Sequence, residues 1–351
     1  QFKINFDPVA NPEAVVQKSN VRFTVLTDRL FRMEHSPSGE FEDHASMAIW
    51  YRNQPVPKFT ATVTDEAVVI DTDYLTLTYK IHPDGFTPLS LFIEIKGFEH
   101  VWHYGDHPLR GNLWGTARTL DNMSGTVRPE PGLMSVKGGT AHDDSKTLVF
   151  NADGWVEQRK HPENEDLYFF GYGYDFTACQ EALTKVAGKT PMVPRYILGN
   201  WWSRYWSYTD DELVGLMQEF KDHDTPLSVC IVDMGWHVTE TGNTSSGWTG
   251  YTWNRKLFPD PEGFIGRLHD LNLKTALNLH PADGIHPHEE QYEEFAEFMG
   301  VDPKTKDPIP FDIANEQFAE GYFDILHHPL EEQGVDFWWI DWQQGGVSSL
   351  P

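Results

Sequence analysis

The stretch Trp338-Trp339-Ile340-Asp341-Trp342-Gln343-Gln344-Gly345 sets one carboxylate among three indole rings at the end of an apolar run. Leaving such a carboxylate unpaired is costly. The arrangement suits a nucleophile attacking an anomeric carbon, since aromatic faces hold a sugar ring and favour a developing cation. The plainer alternative is an Asp capping a turn. Asp233, in Val-Cys-Ile-Val-Asp-Met-Gly-Trp-His, also ends an apolar run and fits an acceptor for sugar hydroxyls, with a loop cap as its alternative. His280 closes Leu-Asn-Leu-His-Pro-Ala-Asp-Gly, where a backbone-satisfied histidine competes with a sugar contact. Tyr208, Trp236 and Trp339 complete the candidate substrate-binding set. His280, His286, His288, Glu289 and Glu290 resemble a metal cluster, but their H-x5-H-x-H-E-E spacing matches no common zinc signature. No metal or cofactor is expected.

Positioning these groups is the task of the surrounding elements. From Val21 to about Val156 the chain alternates apolar and polar residues in short runs: 21–35, 59–71, 74–81 and 89–97. That period predicts antiparallel strands and a β-sandwich. A strand follows at 166–176, then a helix from Phe176 to Val186. It is stopped by Gly188, with Pro191 and Pro194 beyond, which marks a domain junction. The grammar then changes. Near-continuous apolar strands are expected at 197–202, 227–233, 273–280 and 335–341. Helices are expected at Thr209–Asp222, Pro261–Asp270 and about Glu316–Gln333, with an insertion at 234–258. Buried strands separated by helices are the mark of parallel βαβ units. Asp233, His280 and Asp341 all fall at carboxyl strand ends, where (β/α)8 enzymes build their sites. A doubly wound sheet would call for a Gly-rich βα turn, and no G-x-G-x-x-G occurs. Four βα units make half a barrel, so the remainder is expected from another segment or chain.

Composition narrows the function classes. The 351 residues carry 27 Lys+Arg against 53 Asp+Glu, a formal charge of −26. Such acidity excludes phosphate-backbone binding and docking on anionic membranes. No apolar run is long enough for a transmembrane helix. The 39% apolar content supports a sizeable core, and 13 Trp supply both core and sugar-stacking walls. Cys179 and Cys230 sit in apolar segments and are expected to be buried thiols. Sequons at Asn122 and Asn243, together with an opening Gln1 in place of Met, lean toward a secreted, glycosylated chain.

The residues resemble the family 31 glycoside hydrolases. Their nucleophile motif, an apolar strand ending W-x-D, reads Trp339-Ile340-Asp341 here. Pro194-Arg-Tyr-Ile-Leu-Gly-Asn-Trp-Trp-Ser-Arg-Tyr-Trp-Ser-Tyr is similar to the entry into the family's first barrel strand. Tyr251-Thr-Trp-Asn, Phe258-Pro-Asp-Pro and Leu268-His are similar to its FTWD, FPDP and LH stretch. Asn278-Leu-His-Pro-Ala resembles the end of its third strand, and Thr116-Ala-Arg-Thr-Leu and Asp143-Asp-Ser resemble its N-terminal domain. The resemblance implies a retaining α-glycosidase with Asp341 as nucleophile, and with Asp233 and Trp339 binding the terminal sugar. The acid/base aspartate would lie in the barrel's second half. Three departures stand out. Trp342-Gln343-Gln344 replaces the common continuation D-M-N-E, Gly235 breaks a D-x-D after Asp233, and His280 stands where an acidic residue is frequent. These bear on sugar specificity: an α-glucosidase is expected, with α-xylosidase, α-galactosidase and transglycosylase open, and a non-catalytic carbohydrate-binding protein as the rival class.

The expected organisation is thus an N-terminal β-sandwich over 1–190, followed by barrel strands one to four over 191–351. The expected partners are an oligosaccharide or α-glycoside substrate and the segment completing the barrel.

Overall fold

The computed structural model describes residues 4–117, 119–120, 123–341 and 348–350. Trp342 to Gly345, Arg118 and the Asn122 sequon lie outside them. The chain divides into two compact units, one ending at Thr190 and the other beginning at Pro191.

The first unit is built from short antiparallel strands: β1 (Val15–Lys18), β2 (Val21–Thr27), β3 (Leu30–His35), β4 (Thr60–Val63), β5 (Ala67–Asp71), β6 (Leu75–Lys80), β7 (Leu91–Ile95), β8 (Val101–His103), β9 (Thr140–Asp143), β10 (Val149–Phe150), β11 (Val156–Glu157) and β12 (Glu165–Phe170). One five-stranded sheet runs β1-β2-β3-β12-β9 and a second runs β4-β5-β6-β7-β8, while β10 and β11 form a small ribbon. The runs 21–35 and 59–71 are each a hairpin. In the second, the Thr64 hydroxyl accepts from the N–H groups of Glu66 and Ala67 and turns the chain. Side-chain alternation then buries Phe23, Val25, Phe31 and Met33 of the first sheet with Val68, Ile70, Leu77 and Ile93 of the second in one core. The other face of the first sheet is covered by α1 (Phe176–Ala187) through Cys179, Ala182 and Val186. That face also holds buried charge. Asp166 accepts from Arg32 Nε and Nη2, both at 2.8 Å, and from Arg159 Nη1 at 3.0 Å, while Arg159 Nη2 reaches Asp144 at 3.0 Å. Burial alone would push the Asp166 carboxyl up; the guanidinium groups, Arg32 foremost, hold it well below the usual carboxylate range.

The second unit contains β13 (Trp201–Trp202), α2 (Asp210–Asp222), β14 (Val229–Val232), α3 (Pro261–Asp270), β15 (Lys274–Leu279), α4 (Tyr292–Phe298), α5 (Glu316–Gly321), α6 (His328–Glu332) and β16 (Phe337–Ile340). Its four strands pair in parallel, in chain order. Thr209 and Glu212 form a reciprocal capping box that starts α2. One sheet face, with Cys230, Val232, Leu277 and Trp338, packs on the helices; the other carries Val229, Ile231, Ala276, Trp201 and Phe337.

Three local expectations change. The strand expected at 197–202 begins only at Trp201, because Arg195–Leu198 close a 3-10 turn. Gly199 follows it so close to Ser228 that a Cβ would lie 1.8 Å from the hydroxyl oxygen. Helix α4 was hidden by the Pro- and His-rich loop before it and forms by burying Tyr292, Phe295 and Ala296. The expected helix at 316–333 is interrupted by a π-helical turn at Tyr322–His327, just before Pro329, which has no N–H to continue the α-helical ladder.

Candidate active site

Strand pleating decides which side chains share a face. Ile231, Ala276 and Phe337 are paired across the parallel sheet and lie on the face away from the helices. Two residues further along each strand stand Asp233, Asn278 and Trp339, and beyond these His280 and Asp341. The three strand-end groups singled out in the sequence therefore belong to one face at one end of the sheet.

Asp341 is anchored through its backbone N–H to the carbonyl of Leu279 at 3.0 Å, which extends the β15–β16 pairing to the last strand residue. Its Oδ2 accepts from Asn278 Nδ2 at 3.2 Å and lies 3.4 Å from His280 Nε2. The Asp341 side chain is 34% exposed, whereas that of His280 is 3% exposed. A solvent-reachable carboxylate thus rests on two buried nitrogens. Asn278, the residue that sequence reading missed, sits two positions before His280 on the same pleat; that spacing was the available signal.

His280 is fixed from several sides. Its carbonyl accepts from the Thr249 hydroxyl, and the Trp248 ring meets its imidazole edge-to-face at 5.1 Å. Trp248 in turn lies nearly parallel to Tyr205, with centroids 6.3 Å apart, and both rings are exposed. Expected as a sugar contact, His280 is instead enclosed, with its Nε2 turned to Asp341.

Asp233 is half-buried and accepts from the Met234 N–H at 2.7 Å, so it caps the following 3-10 turn, as its plainer alternative held. It stays on the inner face beside Asn278. Trp339 is 40% exposed and packs edge-on against Trp201. Tyr208 packs on the helix-side core, and its hydroxyl lies 3.5 Å from Arg204 Nη1. Trp236 corrects the sequence reading. It is fully buried, donates from Nε1 to the Asn278 carbonyl at 2.8 Å, and meets Trp253 edge-on at 5.1 Å. An indole with its N–H and both faces committed to the core is a prop under the site and not a wall of it.

The cluster around His286–Glu290 ties two loops together. Glu289 Oε2 accepts from the Tyr251 N–H at 3.1 Å and the Thr252 hydroxyl at 2.6 Å, and its Oε1 lies 3.0 Å from His288 Nε2. Burial pushes its carboxyl up, but these partners outweigh burial and hold it below the ordinary value. His288 Nδ1 faces Asn243 Nδ2 at 2.9 Å, and His286 Nε2 faces the Asp283 carbonyl at 3.1 Å. Asp283 itself accepts from the Ser246 N–H at 3.0 Å. Among the described residues no three His, Cys, Asp or Glu converge on a metal position. Cys179 and Cys230 are free and buried. Burial raises their thiols to about 11 and about 12, so neither is a nucleophile.

A carboxylate at a parallel strand end, supported from below and flanked by aromatic rings, is what the family comparison meets. Residues 190–348 match the model for the glycosyl hydrolases family 31 TIM-barrel domain. Residues 190–348 are thus similar to the barrel domain of glycoside hydrolase family 31. Among curated relatives it is 24% identical over 197 residues to an alpha-xylosidase of Saccharolobus solfataricus, covering 53% of this chain and 23% of that protein. It is 29% identical over 146 residues to an alpha-xylosidase of Emericella nidulans, covering 41% and 18%. The match thus spans less than a quarter of either relative. Among solved structures, a family 31 alpha-xylosidase from a soil metagenome, complexed with xylose, superposes with a TM-score of 0.59 at 14% identity, covering 97% of this chain and 57% of the other. A Flavobacterium johnsoniae dextranase complexed with glucose gives 0.60 at 16%, covering 96% and 48%. At these identities the likeness concerns the fold.

Proposed function

We propose that the chain carries the nucleophile side of a retaining α-glycosidase site, with Asp341 forming the glycosyl–enzyme bond. The observation that supports this most is the Asp341 carboxylate itself: solvent-reachable, at the barrel-segment rim, with Oδ2 held by Asn278 and facing His280. One carboxylate oxygen attacks the anomeric carbon as the glycosidic bond breaks, and an acid/base carboxyl protonates the departing oxygen. Water then enters with that second carboxyl as base and releases the sugar, so configuration is retained; the two carboxyls stand about 5–5.5 Å apart in such sites. Trp339 walls the sugar, and Asp233 accepts from its hydroxyls.

In this reading the two sheets of residues 4–190 are the N-terminal β-sandwich, and β13 to β16 are the first half of the barrel. The second half comes from a further segment or a second chain. Supporting this, β13 and β16 are the two outer strands of the sheet among the described residues, and Ile340, on the helix-facing side of β16, is 44% exposed. Capture of the complementing segment by this chain tests the point.

The substrate class is an α-linked glucoside or xyloside. Sequence reading favoured glucose; the alpha-xylosidase relatives support xylose as the second reading. Initial rates of the intact protein on matched p-nitrophenyl α-glucoside and α-xyloside decide between them. Binding of either sugar without turnover would replace the proposal with a non-catalytic carbohydrate-binding role.

A further inference from the structure

We infer that His280 is a positioning residue that acts through Asp341, an inference that rests on the nucleophile reading above. Four observations carry it. The His280 ring is enclosed, so it has no surface to offer a sugar. Its Nε2 is 3.4 Å from Asp341 Oδ2, the same oxygen that accepts from Asn278 Nδ2 at 3.2 Å. Its orientation is set by Trp248 packed edge-to-face at 5.1 Å and by the Thr249 hydroxyl on its carbonyl. Its Nδ1 is buried with no hydrogen-bond partner.

The contact with Asp341 sets which nitrogen carries a proton. Two lone pairs facing each other would repel, so the nitrogen toward the carboxylate carries the proton. His280 therefore presents an Nε2–H to the carboxylate. With Asn278 it forms a two-donor cradle under Oδ2, which fixes the carboxylate plane and spreads its charge toward one oxygen. Separations of this length shorten once a ligand closes the site. What such a cradle contributes is alignment of the attacking carboxylate in the transition state, so its loss lowers kcat more than it raises KM.

The test uses the intact protein, with α-glucosyl fluoride and α-xylosyl fluoride as probes, because fluoride departs with little acid assistance and reports on nucleophilic attack. His280→Leu removes the donor; His280→Gln keeps an N–H without a ring that can be charged. On the better fluoride, His280→Leu is expected to lower kcat about 100-fold with KM within threefold, and His280→Gln to recover to within tenfold of the parent. If the Leu variant does not fold, the Gln variant decides alone: within tenfold supports the inference, and a loss of 100-fold or more overturns it. Equal losses in both variants, or a loss carried by KM, also overturn it, the latter restoring His280 to the role of a sugar contact. The underlying reading is judged separately by Asp341→Ala: if that variant still turns over the fluoride, the nucleophile assignment fails; if it is dead while His280→Leu is unimpaired, only the positioning role fails.

Discussion

At the scale of single residues, a carboxylate's chemistry is decided by what surrounds its two oxygens, and Asp341 Oδ2 accepts from Asn278 Nδ2 and faces His280 Nε2. Asp341→Ala is expected to lower kcat/KM by roughly 10³-fold or more, because the substitution removes the attacking oxygen. Initial-rate kinetics against the parent check this, and a loss of less than tenfold would remove Asp341 from the reaction. Two buried histidines make a second prediction. Burial holds His237 down to about 4 and His327 to about 3, so both are neutral in the fold. Above about pH 6.5 the unfolded chain is neutral at these positions too, and neither affects stability. Below it, the unfolded chain takes up protons that the fold refuses, so stability falls as pH drops toward 4, by up to roughly 1.4 kcal/mol per pH unit for each histidine. Denaturant unfolding at pH 7, 6 and 5 should show this slope. His327→Phe, which keeps the packing between Tyr322 and Trp338, should reduce it; an unchanged slope counts against the assignment.

At the scale of elements, the site depends on parallel pairing carried to the last residue of β15 and β16 and on two loops clamped behind it. The strand ends were legible in the sequence because apolar runs closing in Asp or His are uncommon, and pleating then dictates a shared face. Loop architecture was not legible. The spacing of the histidines and glutamates of 280–290 argued against a zinc site, but it does not show that Glu289 is spent on Tyr251, Thr252 and His288. Trp236 was misread because a tryptophan four residues beyond a strand end can point to either side, and only the Asn278 carbonyl and Trp253 settle its direction inward. The clamp is testable. Glu289→Ala leaves the Tyr251 N–H and Thr252 hydroxyl without their buried acceptor and is expected to cost roughly 2–3 kcal/mol. Hydrogen exchange should accelerate across 239–252 while β2 and β3 stay protected. Unchanged exchange in that loop would show that Glu289 is not its clasp.

At the scale of the whole molecule, the −26 charge conceals a strongly paired interior in the first unit. Arg32, Asp166, Arg159 and Asp144 are removed from solvent together, a feature that net charge and periodicity cannot show, since Arg32 and Asp166 alternate like exposed polar strand positions and the other two lie outside the strands. Removing one member leaves its partners charged and dry. Asp166→Ala is therefore expected to destabilise the first unit by about 3–5 kcal/mol, read as a lowered unfolding midpoint; a change below 1 kcal/mol would mean the network is solvated. Among the described tryptophans, Trp236, Trp253 and Trp102 are core, while Trp339, Trp248 and Trp206 are exposed.

The central claim is covalent, and so is its most direct measurement. The intact protein is incubated with 5-fluoro-α-glucosyl fluoride or 5-fluoro-α-xylosyl fluoride, digested, and mapped by mass spectrometry. The account predicts one added fluoroglycosyl group on the peptide containing Asp341, absent from Asp341→Ala. A stable adduct on any other residue, or hydrolysis of the parent glycoside with inversion at the anomeric carbon, would contradict it.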